Sequence, residues 1–342
     1  FLSTNGNSEM LFLKNHLKRL LIGMAFLVGF LLFDYRSLKH IAPYLVIFSI
    51  LLLVLTKAVY LINGYSWYKP ARWLSIGSLG FQTSDIARFS ILIFMAYYAD
   101  KQRDIIANFQ NGLLPALVIL LFIMSLIIIQ PDYSTAIMIG FLGMLILFIG
   151  GAKISQILLT CSIALLIGIP VLLSREYRRE RVLSFFGIGD NPDVGYQAHQ
   201  SLISLGNGGL FGTGLGNSIE KNHFLPTPHT DFIFAIIGEE LGFLIGTVPV
   251  LTLFLLIFFQ GIKIAKNCND PFGIFLSVGI VSNLILYAFV NAAVVTGLLP
   301  VTGLPMPMVS YGGSGMIINM SLIGILLNIS QAKRAVGDNV WT

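Results

Sequence analysis

Charge is scarce in this chain. Of its 342 residues, 11% are Asp, Glu, Lys or Arg and 56% are hydrophobic. Soluble domains carry about 25% charged residues, so a soluble globular fold is excluded. Cysteine is nearly absent. Cys161 falls in an apolar run and Cys268 in a later basic loop, which reads as reduced thiols rather than a disulfide framework. No zinc-type Cys/His spacing occurs. The chain opens on Phe1, and no leader with a basic start and a cleavage site can be read. The expectation is that the true N-terminus, and one helix with it, lies upstream.

What is plentiful is apolar sequence in runs of about 20 residues, the length that crosses a bilayer as helix. The runs fall at 18–34, 41–62, 84–99, 113–129, 134–150, 154–174, 232–260, 272–296 and 311–330. Residues 1–342 are therefore expected to form a single polytopic, all-α membrane domain with nine visible spans. Residues 175–231 are its one large polar loop. Short basic connections carry Arg36, Lys39, Lys101, Arg103, Lys153, Lys263, Lys266, Lys333 and Arg334. If the nine spans are right, all lie on one side, which the positive-inside rule makes cytoplasmic. The other cations gather mainly in 57–88 and 175–221, on the opposite face. There they suit either lipid headgroups or an anionic substrate.

The polar loop ends at His229-Thr230-Asp231, just before Phe232-Ile233-Phe234 opens a long apolar run. A carboxylate at the mouth of a membrane helix is costly to desolvate, so it has a partner or a task. Asp231 reads either as a helix cap or as the best catalytic candidate in the chain. Glu239 and Glu240 follow one or two turns later and need a cavity, a cation or a proton. Ser84 or Thr83 reads as a cap, and Asp85 lies at i+3 from Arg88, close enough to neutralise it. Asp132, ahead of another apolar run, reads foremost as a cap. Arg175, Arg178, Arg179 and Arg181 lie on an expected basic amphipathic helix on the membrane. The stretch Gly206–Gly216 is glycine-rich, but no strand–helix unit surrounds it, so it is not a nucleotide fingerprint. It reads instead as a turn in which backbone approaches backbone or ligand. The connection 300–315 is too rich in Pro and Gly to be regular helix, and suits a cavity wall.

These pieces together resemble the SEDS family of bacterial shape, elongation, division and sporulation proteins, from about Leu17 to Lys333. The resemblance rests on four motifs. Phe224-Leu225-Pro226 leads to His229-Thr230-Asp231-Phe232-Ile233-Phe234 and Gly238-Glu239-Glu240-Leu241-Gly242. Pro307 precedes Val309-Ser310-Tyr311-Gly312-Gly313-Ser314. Tyr196-Gln197 and Gln200-Ser201 precede Gly208–Gly212, and Gln130-Pro131-Asp132 precedes Thr135-Ala136. Gly212–Ser218 followed by Lys221 is more similar to the division and sporulation branch (FtsW-like) than to the elongation branch (RodA-like). The family usually shows Gln-Pro-Ser-Glu and a lysine where this chain has Gln82–Asp85 and Arg88, and a serine where it has Gly315. Arg offers a planar fork where Lys is a point charge.

The resemblance implies a SEDS-type helical bundle of ten helices, nine of them visible here. It implies a peptidoglycan glycosyltransferase in the bacterial cytoplasmic membrane, its active site facing outward. Its partners would be lipid II, the nascent glycan strand, a class B penicillin-binding protein and other divisome or elongasome membrane proteins, with no nucleic acid. Asp231 would be the general base. Lys69, Arg72 and Arg88 would bind phosphate, a task a divalent cation (Mg2+ or Mn2+) can share; no organic cofactor is expected. Trp73, Gln82, Asp85, Gln130, Asp132, Gln197, Gln200, His229, Thr230, Ser310, Tyr311 and Ser314 would complete the substrate site. Two rival readings are a lipid II flippase and a non-catalytic scaffold that activates a penicillin-binding protein.

Overall fold

The computed structural model describes residues 6–62, 72–76, 79–174, 176–188, 192–223, 225 and 229–338. Arg175 and the whole of the aromatic stretch 65–71, with Lys69, lie outside the described residues. The elements are α1 Gly6–Leu32, α2 Leu38–Ile62, β1 Trp73–Ile76, β2 Leu79–Gln82, α3 Thr83–Lys101, α4 Leu114–Ile129, α5 Tyr133–Ile149, α6 Ile154–Leu173, α7 Glu176–Phe185, α8 Pro192–Gly208, α9 Glu220–His223, α10 Ile233–Gly242, α11 Val248–Asn267, α12 Pro271–Val295 and α13 Ser314–Asp338. Each expected span is helical over most of its length. Six helical stretches among the described residues are long and apolar enough to cross a membrane.

Two features were not expected. The first is a β-hairpin, with Trp73 opposite Gln82 and Ile76 opposite Leu79 in antiparallel register. It delivers the chain into α3. The second is a break in the span expected to run unbroken over 232–260. Gly242 takes φ +77°, and a π-helical turn, Phe243–Thr247, separates α10 from α11. The Phe243 and Leu244 amides do not bond back into α10. They donate to the carbonyls of Gly209 (2.9 Å) and Leu210 (3.0 Å). A helix break at membrane depth is tolerated when other protein groups take up the freed backbone bonds.

The chain forms two compact units. The first holds residues 1–14, 160–257 and 284–312; the second holds 15–159, 258–283 and 313–342. In the second unit α3 is the buried helix: every residue from Ala87 to Ala96 is enclosed. Its apolar residues face every side, as in an interior helix, with Arg88 and Ser90 the polar members of the enclosed run. α4 and α5 approach closely because Gly140 sits against Met124 and Gly143 against Leu120, where a Cβ would stand within 2.9 Å of the neighbour. Lys39 bridges Asp100 and Asp270, both at 2.9 Å, and so ties α2, the end of α3 and the start of α12.

In the first unit, α10 supplies Phe234, Ala235 and Ile236 to a core shared with Phe232, Phe254, Ala288, Ala292, Val295 and Met306. α8 lies against α10: Ser204 donates to the Ala235 carbonyl (3.2 Å) and to the Glu239 carboxylate (2.9 Å). α6 is different. Ile157 is its one buried residue, and every side chain from Cys161 to Val171 is exposed.

Candidate functional site

The first unit places Asp231 in a turn ahead of α10. Phe232, not Asp231, is the N-cap residue, and its side chain makes no cap bond. Asp231 therefore stands one residue ahead of the N-cap position. Three consecutive carbonyls of this turn are held from other elements. The His229 carbonyl accepts from the Tyr311 amide at 2.8 Å. The Thr230 carbonyl accepts from the Ser310 hydroxyl at 2.6 Å. The Asp231 carbonyl accepts from the Asn291 amide at 2.7 Å. The carboxylate itself faces Gly303, where an added Cβ would stand 3.5 Å from Oδ2. Gly303 has φ +72°, a conformation that suits glycine, and its missing side chain leaves room in front of the acid.

The connection 300–315, expected not to be regular helix throughout, is irregular up to residue 313, Ser314 and Gly315 opening α13, and it is internally tied. Ser310 accepts from the Met306 amide (2.8 Å) and donates its own amide back to the Met306 carbonyl (3.0 Å). Met308 sits at φ +64°, a left-handed conformation that a side chain adopts at a cost. Gln197 and Gln200 lie one turn apart on α8, both half-buried.

Glu239 is fully buried and Glu240 largely so, and each has found partners. Glu240 pairs with Lys221 at 3.1 Å. Glu239 accepts from Ser218 Oγ (2.6 Å), Ser204 Oγ (2.9 Å) and the Ile219 amide (3.0 Å). The glycine stretch runs against the same helix end. Thr213 and Gly214 donate to the carbonyls of Glu239 (2.9 Å) and Glu240 (3.0 Å), satisfying the last turn of α10. Gly208 and Gly212 lie directly against the backbone of 238–241.

The second unit holds a separate polar network around the start of α3. Asp132 occupies the N-cap position of α5 but does not cap it. Its Oδ2 accepts instead from Gln82 Nε2 and Ser84 Oγ, both at 2.7 Å, and its Oδ1 faces Arg72 at 3.7 Å. Capping by Ser84 or Thr83 is likewise replaced: both lie within α3, whose N-cap is Gln82. The Asp85–Arg88 pair forms as spaced, at 3.2 Å, and Asp85 also accepts from Ser314 at 2.7 Å. Arg88 enters the apolar span because Asn283 Oδ1 receives its second nitrogen at 3.4 Å. Gln130 is spent on structure, accepting from Thr83 (3.2 Å) and donating to the Leu53 carbonyl (2.9 Å). Trp73 is 38% exposed at the hairpin. Among the described residues no three His, Cys, Asp or Glu side chains gather as a metal would require. Asp85 and Asp132 already spend their oxygens on hydroxyl, amide and guanidinium donors.

Asn291 was missed from sequence. It sits in the apolar run of α12, and a fully buried amide there is itself a signal.

The fold and these sites define a polytopic helical membrane protein with a carboxylate locked at the head of a broken span. The chain matches the family model described as a cell cycle protein, FtsW/RodA/SpoVE, over residues 2–335, and it belongs to that family. It is 36% identical over 324 residues to the probable peptidoglycan glycosyltransferase FtsW of Geobacter metallireducens, covering 94% of this chain and 86% of that one. It is 37% identical over 288 residues to the stage V sporulation protein E of Bacillus subtilis, covering 84% and 77%. Among solved structures it is similar to a chain of a peptidoglycan synthase complex that coordinates polymerization and crosslinking: TM-score 0.76, 28% identity, 94% and 90% covered. The rod shape determining protein RodA of Thermus thermophilus shares the fold at TM-score 0.68 and 24% identity, with 94% and 88% covered.

Proposed function

We propose that this chain is a peptidoglycan glycosyltransferase of the division branch, polymerising lipid II at the outer face of the cytoplasmic membrane with Asp231 as general base. Family membership and the names of its relatives support the activity. One observation carries the residue: Asp231 stands just ahead of α10, its backbone carbonyl held by Asn291 and its carboxylate facing Gly303.

The reaction asks for little else from that group. A sugar 4-hydroxyl attacks the anomeric carbon of the donor, its proton passes to the Asp231 carboxylate, and the bond to the lipid pyrophosphate breaks. The pyrophosphate leaves as an anion, so no general acid is needed, and transfer inverts the anomeric centre. A fixed base within reach of the hydroxyl lowers the barrier mainly by position. Within the second unit, Arg72 suits an anion better than Arg88. Arg88 is 2% exposed and committed to Asp85 and Asn283, whereas Arg72 is 35% exposed and its buried Nε has no partner. A guanidinium with an unspent edge can take phosphate oxygens in pairs. Basic Arg178, Arg179 and Arg181 on α7 suit the headgroup side of the same membrane. A class B penicillin-binding protein that crosslinks the strands is the partner this activity calls for.

The test is lipid II polymerisation by the purified chain with its penicillin-binding protein, comparing wild type with Asp231→Ala. Glycan strands from wild type and none from a folded variant are expected. Equal product from both removes Asp231 as the base. No product from either returns the weight to flipping or scaffolding.

A further inference from the structure

We propose that Asn291 and Ser310 form a backbone clamp that positions Asp231, so that both govern the rate of transfer without touching substrate. The proposal rests on the reading of Asp231 as base. Asn291 is 1% exposed. Its single side-chain nitrogen donates to the Asp231 carbonyl (2.7 Å) and to the Leu304 carbonyl (2.8 Å). One amide therefore joins the turn that carries the acid to the connection that carries Gly303, the residue the acid faces. Ser310 repeats the device one residue earlier. Its hydroxyl joins the Thr230 carbonyl to the Met306 amide, at 2.6 and 2.8 Å. The turn that carries Asp231 is thus tied twice, through Asn291 and through Ser310, to the connection that carries Gly303.

The chemistry of the clamp is specific. Two carbonyls facing one point need two N–H groups from one small neutral side chain, which asparagine supplies. The amide cannot be turned over, because its oxygen would then meet two carbonyl oxygens. In the observed orientation that oxygen, Oδ1, is buried without a donor, so the side chain has been spent wholly on its N–H groups. Aspartate has the same shape and no such donors. Leucine has similar volume and would leave two carbonyls unsatisfied. The strained Met308, at φ +64°, lies between Met306 and Ser310, which are bonded to each other through the Met306 amide and the Ser310 hydroxyl. Strain of that kind persists where surrounding bonds over-determine the backbone.

The experiment uses the full chain with its penicillin-binding protein. Rates of lipid II polymerisation are measured against lipid II concentration and pH, with thermal unfolding measured on each variant. The variants are Asn291→Asp, Asn291→Leu, Ser310→Ala and Ser310→Thr, beside Asp231→Ala. A misplacement of about 1 Å can cost about 100-fold in rate, so kcat is expected to fall by about that factor in folded Asn291→Asp or Asn291→Leu. KM is expected to stay within a few-fold in every variant, and the pH–rate midpoint to stay where wild type has it in Asn291→Leu and both Ser310 variants, which add no charge beside the base. Ser310→Ala is expected to lower kcat in the same way, and Ser310→Thr, which keeps the hydroxyl, to restore it. The Ser310 pair keeps the proposal testable if both Asn291 variants unfold. A rise in KM at unchanged kcat overturns it, because the residue then binds substrate. So does wild-type kcat in a folded Asn291 variant or in Ser310→Ala while Asp231→Ala is dead. An active Asp231→Ala instead sinks the base assignment, and the clamp's purpose with it.

Discussion

At the scale of single residues, the chain solves one problem repeatedly: an acid enclosed by apolar helices must be given donors. It uses hydroxyls and amides more than cations. Asp132 has Gln82 and Ser84, Asp85 has Ser314 beside Arg88, and Glu239 has Ser204, Ser218 and an amide. Glu220 is the exception. It is 5% exposed and its Oε2 has no partner. Burial, with Glu239 beside it, raises its carboxyl above the ordinary range. The folded state therefore holds this proton more tightly than the unfolded chain. The stability it contributes is full below the ordinary glutamate range and is lost as pH rises through the raised folded value. Glu220→Gln should unfold at a higher temperature than wild type at neutral pH, and the gap should close on acidification towards pH 4. A gap that does not change with pH would refute this.

At the scale of elements, the glycine stretch and the end of α10 form a single backbone joint, since Gly208 and Gly212 leave no room for a Cβ against residues 238–241. Gly208→Ala should cost about 1–3 kcal/mol, the usual range for overpacking, read as a fall in thermal midpoint. A neutral Gly208→Ala would mean that the two backbones separate freely. Local spacing made some of this legible in the sequence. The Asp85–Arg88 pair follows from i+3, the helices follow from apolar run length, and the glycines announce close backbone approach. The pairs that organise the sites do not follow. Asn291 meets Asp231 across 60 positions and Gln82 meets Asp132 across 50, and only the tertiary path brings them together. That is why Asp132 read as a cap: its true donors are remote. The break at Gly242 was hidden for the same reason, because the carbonyls that replace its helix bonds belong to Gly209 and Leu210.

At the scale of the molecule, the basic connections predict which way the chain threads the bilayer. Arg103 and Arg179 are both exposed and belong to opposite faces under the positive-inside reading. In a chain with Cys161 and Cys268 replaced by serine, Arg179→Cys should react with an impermeant maleimide on intact cells. Arg103→Cys should react only after permeabilisation. The reverse pattern would invert the proposed outward orientation. Within that frame α6 stands apart. Its 20 residues span about 30 Å at helical rise, the thickness of a bilayer's hydrocarbon. Tilt is set by neighbouring helices where a helix has them, and α6 has almost no packed face with which to be held. Its inclination is expected to follow acyl-chain length, a thinner bilayer laying it over and a thicker one standing it up. Just past its end, Arg178 on α7 donates back to the Val171 carbonyl at 3.4 Å, so the start of the large loop is expected to move with the helix as the lipid changes.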